Sequence, residues 1–102
     1  MGKKQSLGLF QSAFLLATTR LKDEAYAKRI MEWLEVRRTS GKPINIGQVY
    51  GTAERLLDLG LIDWRKAPHP TDQSKHSVIL YQLTPAGITA LETGERDELT
   101  VH

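Results

Sequence analysis

Apolar positions recur at helical spacing in four stretches of this chain, with two short strand-like runs between the third and the fourth. The first stretch starts at Leu7 and carries Leu9, Phe10, Ala13, Phe14, Leu15, Leu16 and Ala17, apolar on most sides. Such a helix is buried on more than one face, one toward its own core and another toward a second chain. The second begins near Asp23, a residue type suited to an N-cap, with Glu24 in the first turn. Its buried stripe is Ala27, Ile30, Met31 and Leu34; Arg37 and Arg38 fill its last turn, and Gly41 and Pro43 stop it.

The third helix has the clearest boundary signals. Asn45 can cap it, Gln48 three residues on can reach back, and Ile46, Val49, Ala53, Leu56 and Leu57 follow at helical spacing. Gly60 closes it, with Leu56 and Leu61 placed for the apolar contact that accompanies such a stop. Leu61–Lys66 and Val78–Leu83 then predict two strands around a polar, proline-broken loop. Thr84 caps a last helix, with Pro85 in its first position, running to about Gly94. The fold expected is mainly α with a small β-hairpin (α+β): a winged helix-turn-helix with a three-helix core, a wing and a short C-terminal helix. The boundaries are 1–6 for a flexible basic start, 7–94 for the domain and 95–102 for an acidic frayed tail.

Composition narrows the chemistry. The 102 residues are 40% hydrophobic and 25% charged and include no cysteine, which excludes disulfides, thiolate metal sites and cysteine nucleophiles. The longest apolar run, Ala13–Ala17, is far below the ~20 residues of a membrane span. With no leader-like start, the expected location is the cytoplasm, at the nucleoid, with no membrane partner. The net charge of +2 hides an asymmetry: residues 1–51 carry nine basic and four acidic groups, residues 52–102 five and eight. Glu92, Glu95, Asp97 and Glu98 gather at the end, so a basic body precedes an acidic terminus. A basic body favours a polyanionic partner.

The polar side of the third helix carries Gly47, Gln48, Gly51, Thr52 and Arg55, with Tyr50 at its border. Two glycines in a helix cost ~1 kcal/mol each relative to alanine, and close approach to another surface is one reason to keep them. Gln48, Thr52 and Arg55 have the side chains that read base edges or hold phosphates, which makes double-stranded DNA the candidate partner. Lys28, Arg29 and Lys42 lie near the helix-turn-helix, and Arg65, Lys66, Lys75 and His76 lie at or near the hairpin tip, where positive charge suits phosphates. Nothing in the sequence has the spacing of a nucleophile with its base, a phosphate-binding Gly-rich loop or a metal site, so neither an enzyme nor a cofactor is expected. Asp72 with His76 would make at most a two-ligand pair.

Ala25-Tyr26, Ile30, Asn45-Ile46-Gly47-Gln48-Val49-Tyr50-Gly51-Thr52-Ala53-Glu54-Arg55-Leu56, Gly60-Leu61-Ile62 and Tyr81-Gln82-Leu83-Thr84-Pro85-Ala86-Gly87 together resemble the PadR family of bacterial transcriptional regulators over about residues 9–93. The resemblance implies a homodimer, usually a repressor, with the third helix in the major groove and the wing on flanking backbone. Carried over by position, Asn45, Gly47, Gln48, Tyr50, Thr52 and Arg55 face DNA. It also implies pairing through the first and last helices, matching the surplus apolar residues Leu9, Phe10, Phe14 and Leu16, with Ile88 and Leu91 on the last. Some members bind flat hydrophobic ligands at the dimer centre, which makes a small hydrophobic effector a further candidate partner. Where the family often places arginines before its Tyr-x-Leu-Thr strand, this chain has His76-Ser77-Val78-Ile79-Leu80. The alternative is a winged-helix interaction module without specific DNA readout, contacting protein through Val78, Leu80 and the first helix.

Overall fold

A computed structural model describes the backbone of residues 8–38 and 41–100, with side chains in the last helix as far as Thr93. The basic start, 1–6, lies outside the described residues. Four helices surround a two-stranded antiparallel hairpin: α1 (Leu9–Leu21), α2 (Ala27–Val36), α3 (Ile46–Asp58), β1 (Ile62–Ala67), β2 (Val78–Leu83) and α4 (Pro85–Thr100). The hairpin pairs Ile62 with Leu83 and Ala67 with Val78, which leaves residues 68–77 as the loop at the wing tip.

The start of α2 departs from the sequence expectation. Asp23 caps nothing; it sits in a 3-10 turn, Lys22–Glu24, and α2 begins only after Tyr26. Lys22 adopts a left-handed conformation at φ 52° that ends α1. The Ala25 carbonyl is then free to accept the Tyr81 N–H of β2 at 2.9 Å. In a helix begun at Asp23 that carbonyl would bond within the helix, so the tie to the wing strand overrides the local cap signal. Arg37 and Arg38 also fall beyond α2 rather than in its last turn. Arg37 lies over the Trp33 ring, 3.6 Å from its centre, and donates to the Trp33 carbonyl. Arg38 bonds Glu35 and, at 2.7 Å, the carbonyl of Gly41, whose φ of +88° suits glycine. Glu35 accepts the Ile44 N–H at 2.9 Å and so latches the α2–α3 connection to α2.

Both ends of α3 match the sequence. Asn45 accepts the Gln48 N–H at 2.8 Å and Gln48 returns its carboxamide oxygen to the Asn45 N–H at 3.3 Å. At the other end Gly60, φ +75°, donates to Leu57 and Leu61 donates to Leu56, both at 3.0 Å. This is the paired closure a left-handed glycine permits. Strand β2 has its expected bounds, and β1 is shifted by one residue. Thr84 caps α4 as expected, accepting the Gly87 N–H at 3.1 Å, while its own hydroxyl donates to the Gly60 carbonyl at 2.7 Å. A Cβ on Gly87 would overlap the Leu61 carbonyl, so glycine lets α4 lie directly on the backbone at the start of β1. Helical backbone continues to Thr100, six residues past the expected end at Gly94. The residues after Gly94 are adequate helix formers and include no proline, so the glycine lowers propensity without stopping the helix.

Phe14, Leu15, Ile30, Val49 and Leu56 form the centre of one core, with Ala17, Ala25, Leu34, Ala53, Ile62 and Tyr81 around them. Phe14 stands edge-on to Tyr81, ring centres 5.8 Å apart. Its exposure is 0%, so it belongs to the domain's own core and has no surface to offer a second chain, contrary to the expectation from α1. The buried Thr18 hydroxyl is satisfied by the Phe14 carbonyl at 2.9 Å.

Candidate nucleic-acid interface

Helix α3 turns Val49, Ala53 and Leu56 into the core and leaves Asn45, Gly47, Gln48, Tyr50, Gly51 and Arg55 exposed, with Thr52 half-buried. Ile46, expected in the stripe, is itself exposed, because the core does not reach the first position of the helix. The two glycines differ. A Cβ on Gly47 would come within 3.1 Å of the capping oxygen of Asn45, so this glycine has a reason inside the domain. A Cβ on Gly51 would meet nothing within 4 Å. Gln48 has the oxygen of its carboxamide engaged in the cap, and its side chain borders the groove that Leu9 and Phe10 also line.

Lys28 is exposed on α2 and Lys42 on the α2–α3 connection. On the wing, strand alternation sends neighbouring residues to opposite faces. Trp64 and Lys66 share a face with their partners Tyr81 and Ile79. Arg65 points the other way, toward the 3-10 turn, where its guanidinium lies 3.8 Å from the Asp23 carboxylate, beside a cavity that Thr18 and Thr19 also line. Arg65 and Lys66 therefore do not form one basic surface as their adjacency suggests. The pair with Asp23 is exposed and adds little stability. Lys75 and His76 are exposed on the tip loop, which Tyr26 meets at His69 with ring centres 5.2 Å apart.

In the same loop the Asp72 carboxylate accepts the Ser74 N–H and, at 2.6 Å, its hydroxyl. These bonds, with Lys75 and His69 nearby, hold its pKa below the ordinary value. Asp72 is thus a turn-forming residue, and among the described residues no three potential ligands gather as a metal site would need. Trp64, which the sequence did not single out, is half-exposed on the Lys66 face.

Leu9, Phe10 and Leu16 line a groove of about 580 Å3 with Trp33, Arg37 and Lys42. Leu9 is 80% exposed. Ile88 is not part of this groove: it lines the cavity with Thr18, Thr19 and Leu83, and Leu91 packs against the core. The expected dimer residues thus fall on two surfaces. Of the residues named for the interaction-module alternative, Leu80 is buried and Val78 is half-buried. Among the described residues no helix is long and apolar enough to cross a membrane.

No family model matches the sequence, and no curated protein matches it. Solved structures do. The chain superposes on hsRosR-S4, in a structure described as a complex, with a TM-score of 0.65 and 25% identity, over 94% of this chain and 74% of that one. It superposes on Escherichia coli MarR in its apo form with a TM-score of 0.60 and 19% identity, over 92% of this chain and 64% of that one. A mutant of Lactococcus lactis ZitR follows at 0.59 and 18%, over 97% and 60%. The chain spans less than two thirds of the MarR and ZitR proteins, and at these identities that likeness concerns the fold. The helices and hairpin define a winged helix, the fold these neighbours share.

Proposed function

We propose that the chain is a DNA-binding transcription regulator of PadR type, acting in the nucleoid as a homodimeric repressor on a pseudo-palindromic operator. The observation that carries this reading is the outward face of α3, where Gln48, Tyr50, Gly51 and Arg55 are exposed on a helix fixed at both ends by its caps. Residue types that read adenine and guanine edges stand on a helix of 13 residues, with a glycine whose missing Cβ opens space outward. In a dimer the two α3 helices would enter successive major grooves ~34 Å apart. Lys28, Lys42, Lys66, Lys75 and His76 supply charge for the flanking backbone, and the sequence Leu83-Thr84-Pro85-Ala86-Gly87 supports the family assignment.

The groove bearing Leu9, Phe10 and Leu16 is the apolar surface for a second copy, and its volume also falls in the range that holds a small hydrophobic effector. Selection of bound duplexes from a random pool, followed by affinity measurement against salt, tests the reading. A selected palindrome whose binding weakens in Arg55→Ala and Gln48→Ala supports it. Unchanged affinity in both variants removes α3 as the reading helix. Sedimentation at micromolar concentration reads the dimer: Phe10→Asp should shift it to monomer.

A further inference from the structure

The tip of the wing is folded around the side chain of His69. This residue stands between Pro68 and Pro70, so its backbone is biased toward extended conformations and the residue after it has no N–H. The first donors beyond it belong to Thr71 and Asp72, and both backbone N–H groups turn back to the His69 Nδ1, at 3.3 Å and 3.2 Å. The Thr71 hydroxyl lies 3.3 Å from the same nitrogen. A backbone N–H can only donate, so Nδ1 is bare and the ring proton sits on Nε2.

The same ring ties the tip to the rest of the domain. It packs against Tyr26, the N-cap of α2, and is half-buried there, whereas Lys75 and His76 further along the loop are exposed. Among the described residues the charged or titratable groups around it are Asp72 of its own loop, which in turn feels Lys75, and the Tyr26 phenol from α2. The Asp72 carboxylate is already engaged by the Ser74 N–H and hydroxyl.

We propose that His69 is a proton-gated clasp that positions the wing tip: neutral, it gathers the Thr71 and Asp72 amides, and protonated, it releases them. A proton on Nδ1 removes the acceptor that the two amides share and sets a third donor against them. The Asp72 carboxylate draws that proton in, but it is committed to Ser74 and does not replace the lost acceptor. Tyr26 holds a neutral or a charged imidazole, because an aromatic face attracts a cation, so the ring stays on α2 while the segment beyond it lets go. Imidazole changes charge between about pH 5 and 8, so ordinary changes in acidity reach the clasp. The consequence for DNA rests on the reading of the chain as a DNA-binding protein: the clasp fixes where Lys75 and His76 meet the flanking backbone.

Nuclear magnetic resonance of the full chain, labelled with 15N and free of DNA, tests the clasp itself. At pH 8 the imidazole 15N shifts should show a bare Nδ1, and the backbone order parameters of Thr71 and Asp72 should be about 0.85; at pH 5 they should fall below about 0.6. His69→Asn keeps an acceptor for the amide two residues on but takes up no proton, and should stay ordered at both pH values. His69→Phe keeps a ring on Tyr26 without an acceptor and should be loose at both. The wild-type response should survive in His76→Gln. A proton on Nδ1 at pH 8, equal order at the two pH values, the same acid loosening in His69→Asn, or its loss in His76→Gln overturns the clasp. Its part in DNA binding is read at pH 8 by fluorescence anisotropy on a mixed-sequence duplex of about 30 base pairs, long enough for two recognition helices ~34 Å apart. His69→Phe should bind about fivefold more weakly than wild type, the cost of ordering about one further residue on contact, and His69→Asn should bind as wild type. Equal affinity of all three overturns the positioning role. If the wild-type chain shows no salt-dependent duplex binding while the clasp titrates as described, the DNA-binding reading falls with the positioning role, and the clasp stands.

Discussion

Asn45 and Gln48 hold each other: the carboxamide of each accepts the backbone N–H of the other, at 2.8 Å and 3.3 Å. The residue best suited to read adenine is therefore also half of the device that starts its own helix. A bidentate adenine contact uses both the oxygen and the NH2 of glutamine. While it caps, one lone pair of the Gln48 oxygen is committed to Asn45, so an adenine must share that oxygen or displace the Asn45 N–H.

Replacing Gln48 by Glu separates the two roles. Glutamate keeps the cap and suits the positive helix start, but it removes the donor and adds a charge that phosphates repel. Thermal unfolding of Gln48→Glu should match wild type or lie slightly above it, while DNA affinity falls by at least tenfold. Asn45→Ala, which breaks the shorter bond, should cost about 1 kcal/mol in stability. If Gln48→Glu unfolds as early as Asn45→Ala, glutamate does not keep the returning bond to the Asn45 N–H and the separation of roles fails.

Two glycine-to-alanine substitutions should move stability in opposite directions. Gly51 sits in the interior of α3 with open space beyond its Cα, so Gly51→Ala should stabilise the isolated chain by about 1 kcal/mol. Any loss of DNA affinity in that variant would measure how closely the duplex approaches. Gly87→Ala forces α4 off the Leu61 carbonyl and should destabilise by about 1–3 kcal/mol. Denaturant midpoints of both variants check the pair.

Phe14 and Leu9, neighbours in sequence reasoning, should separate in experiment. Phe14→Ala opens a cavity beside Tyr81 and should cost about 3–5 kcal/mol. Leu9→Asp lies at an exposed helix start and should leave the unfolding of the monomer within about 0.5 kcal/mol. Its effect belongs instead to self-association, read by sedimentation. A dimer indifferent to Leu9→Asp would place the interface elsewhere on α1 or α4.

Glu35 predicts an acid-side signature. The Ile44 N–H, then Arg38, holds its carboxyl below the ordinary value of 4.5. A carboxyl depressed in the folded state contributes stability that is fully present above its unfolded pKa and is lost as pH falls through the folded one. Glu35→Gln should therefore be less stable than wild type at pH 7, and the gap should close as the pH drops from about 4.5 downward. Unfolding free energies of the two proteins at pH 7, 5 and 3 show this directly; a gap independent of pH would mean that Glu35 acts by shape and not by charge.

The sequence disclosed the elements whose signals are local. Asn45 with Gln48, Gly60 with Leu61, and Thr84 with Pro85 each carry their geometry within a few residues, and all three appear in the fold as their chemistry suggests. What stayed hidden depends on distant partners. Asp23 has a good capping side chain, but Ala25 is claimed by Tyr81, more than fifty residues on. Phe14 and Leu9 belong to the same apolar run, and only the packing of β2 decides that one is core and the other exposed. For the interface, the α3 face follows from periodicity, whereas the parting of Arg65 from Lys66 needs the hairpin register.

The clasp at Gly60, Leu61, Thr84 and Gly87 has a mechanical consequence. The Thr84 hydroxyl grips the carbonyl that closes α3, the Thr84 N–H grips Leu61, and Gly87 rests on the same peptide. The last turn of α3 and the first turn of α4 thus share one short piece of backbone as a common axle. A torque applied far along α4, by a second chain or by anything else that meets it, reaches α3 with no flexible joint between. Through that shared backbone the pitch of α3 and the direction in which α4 leaves the domain are coupled.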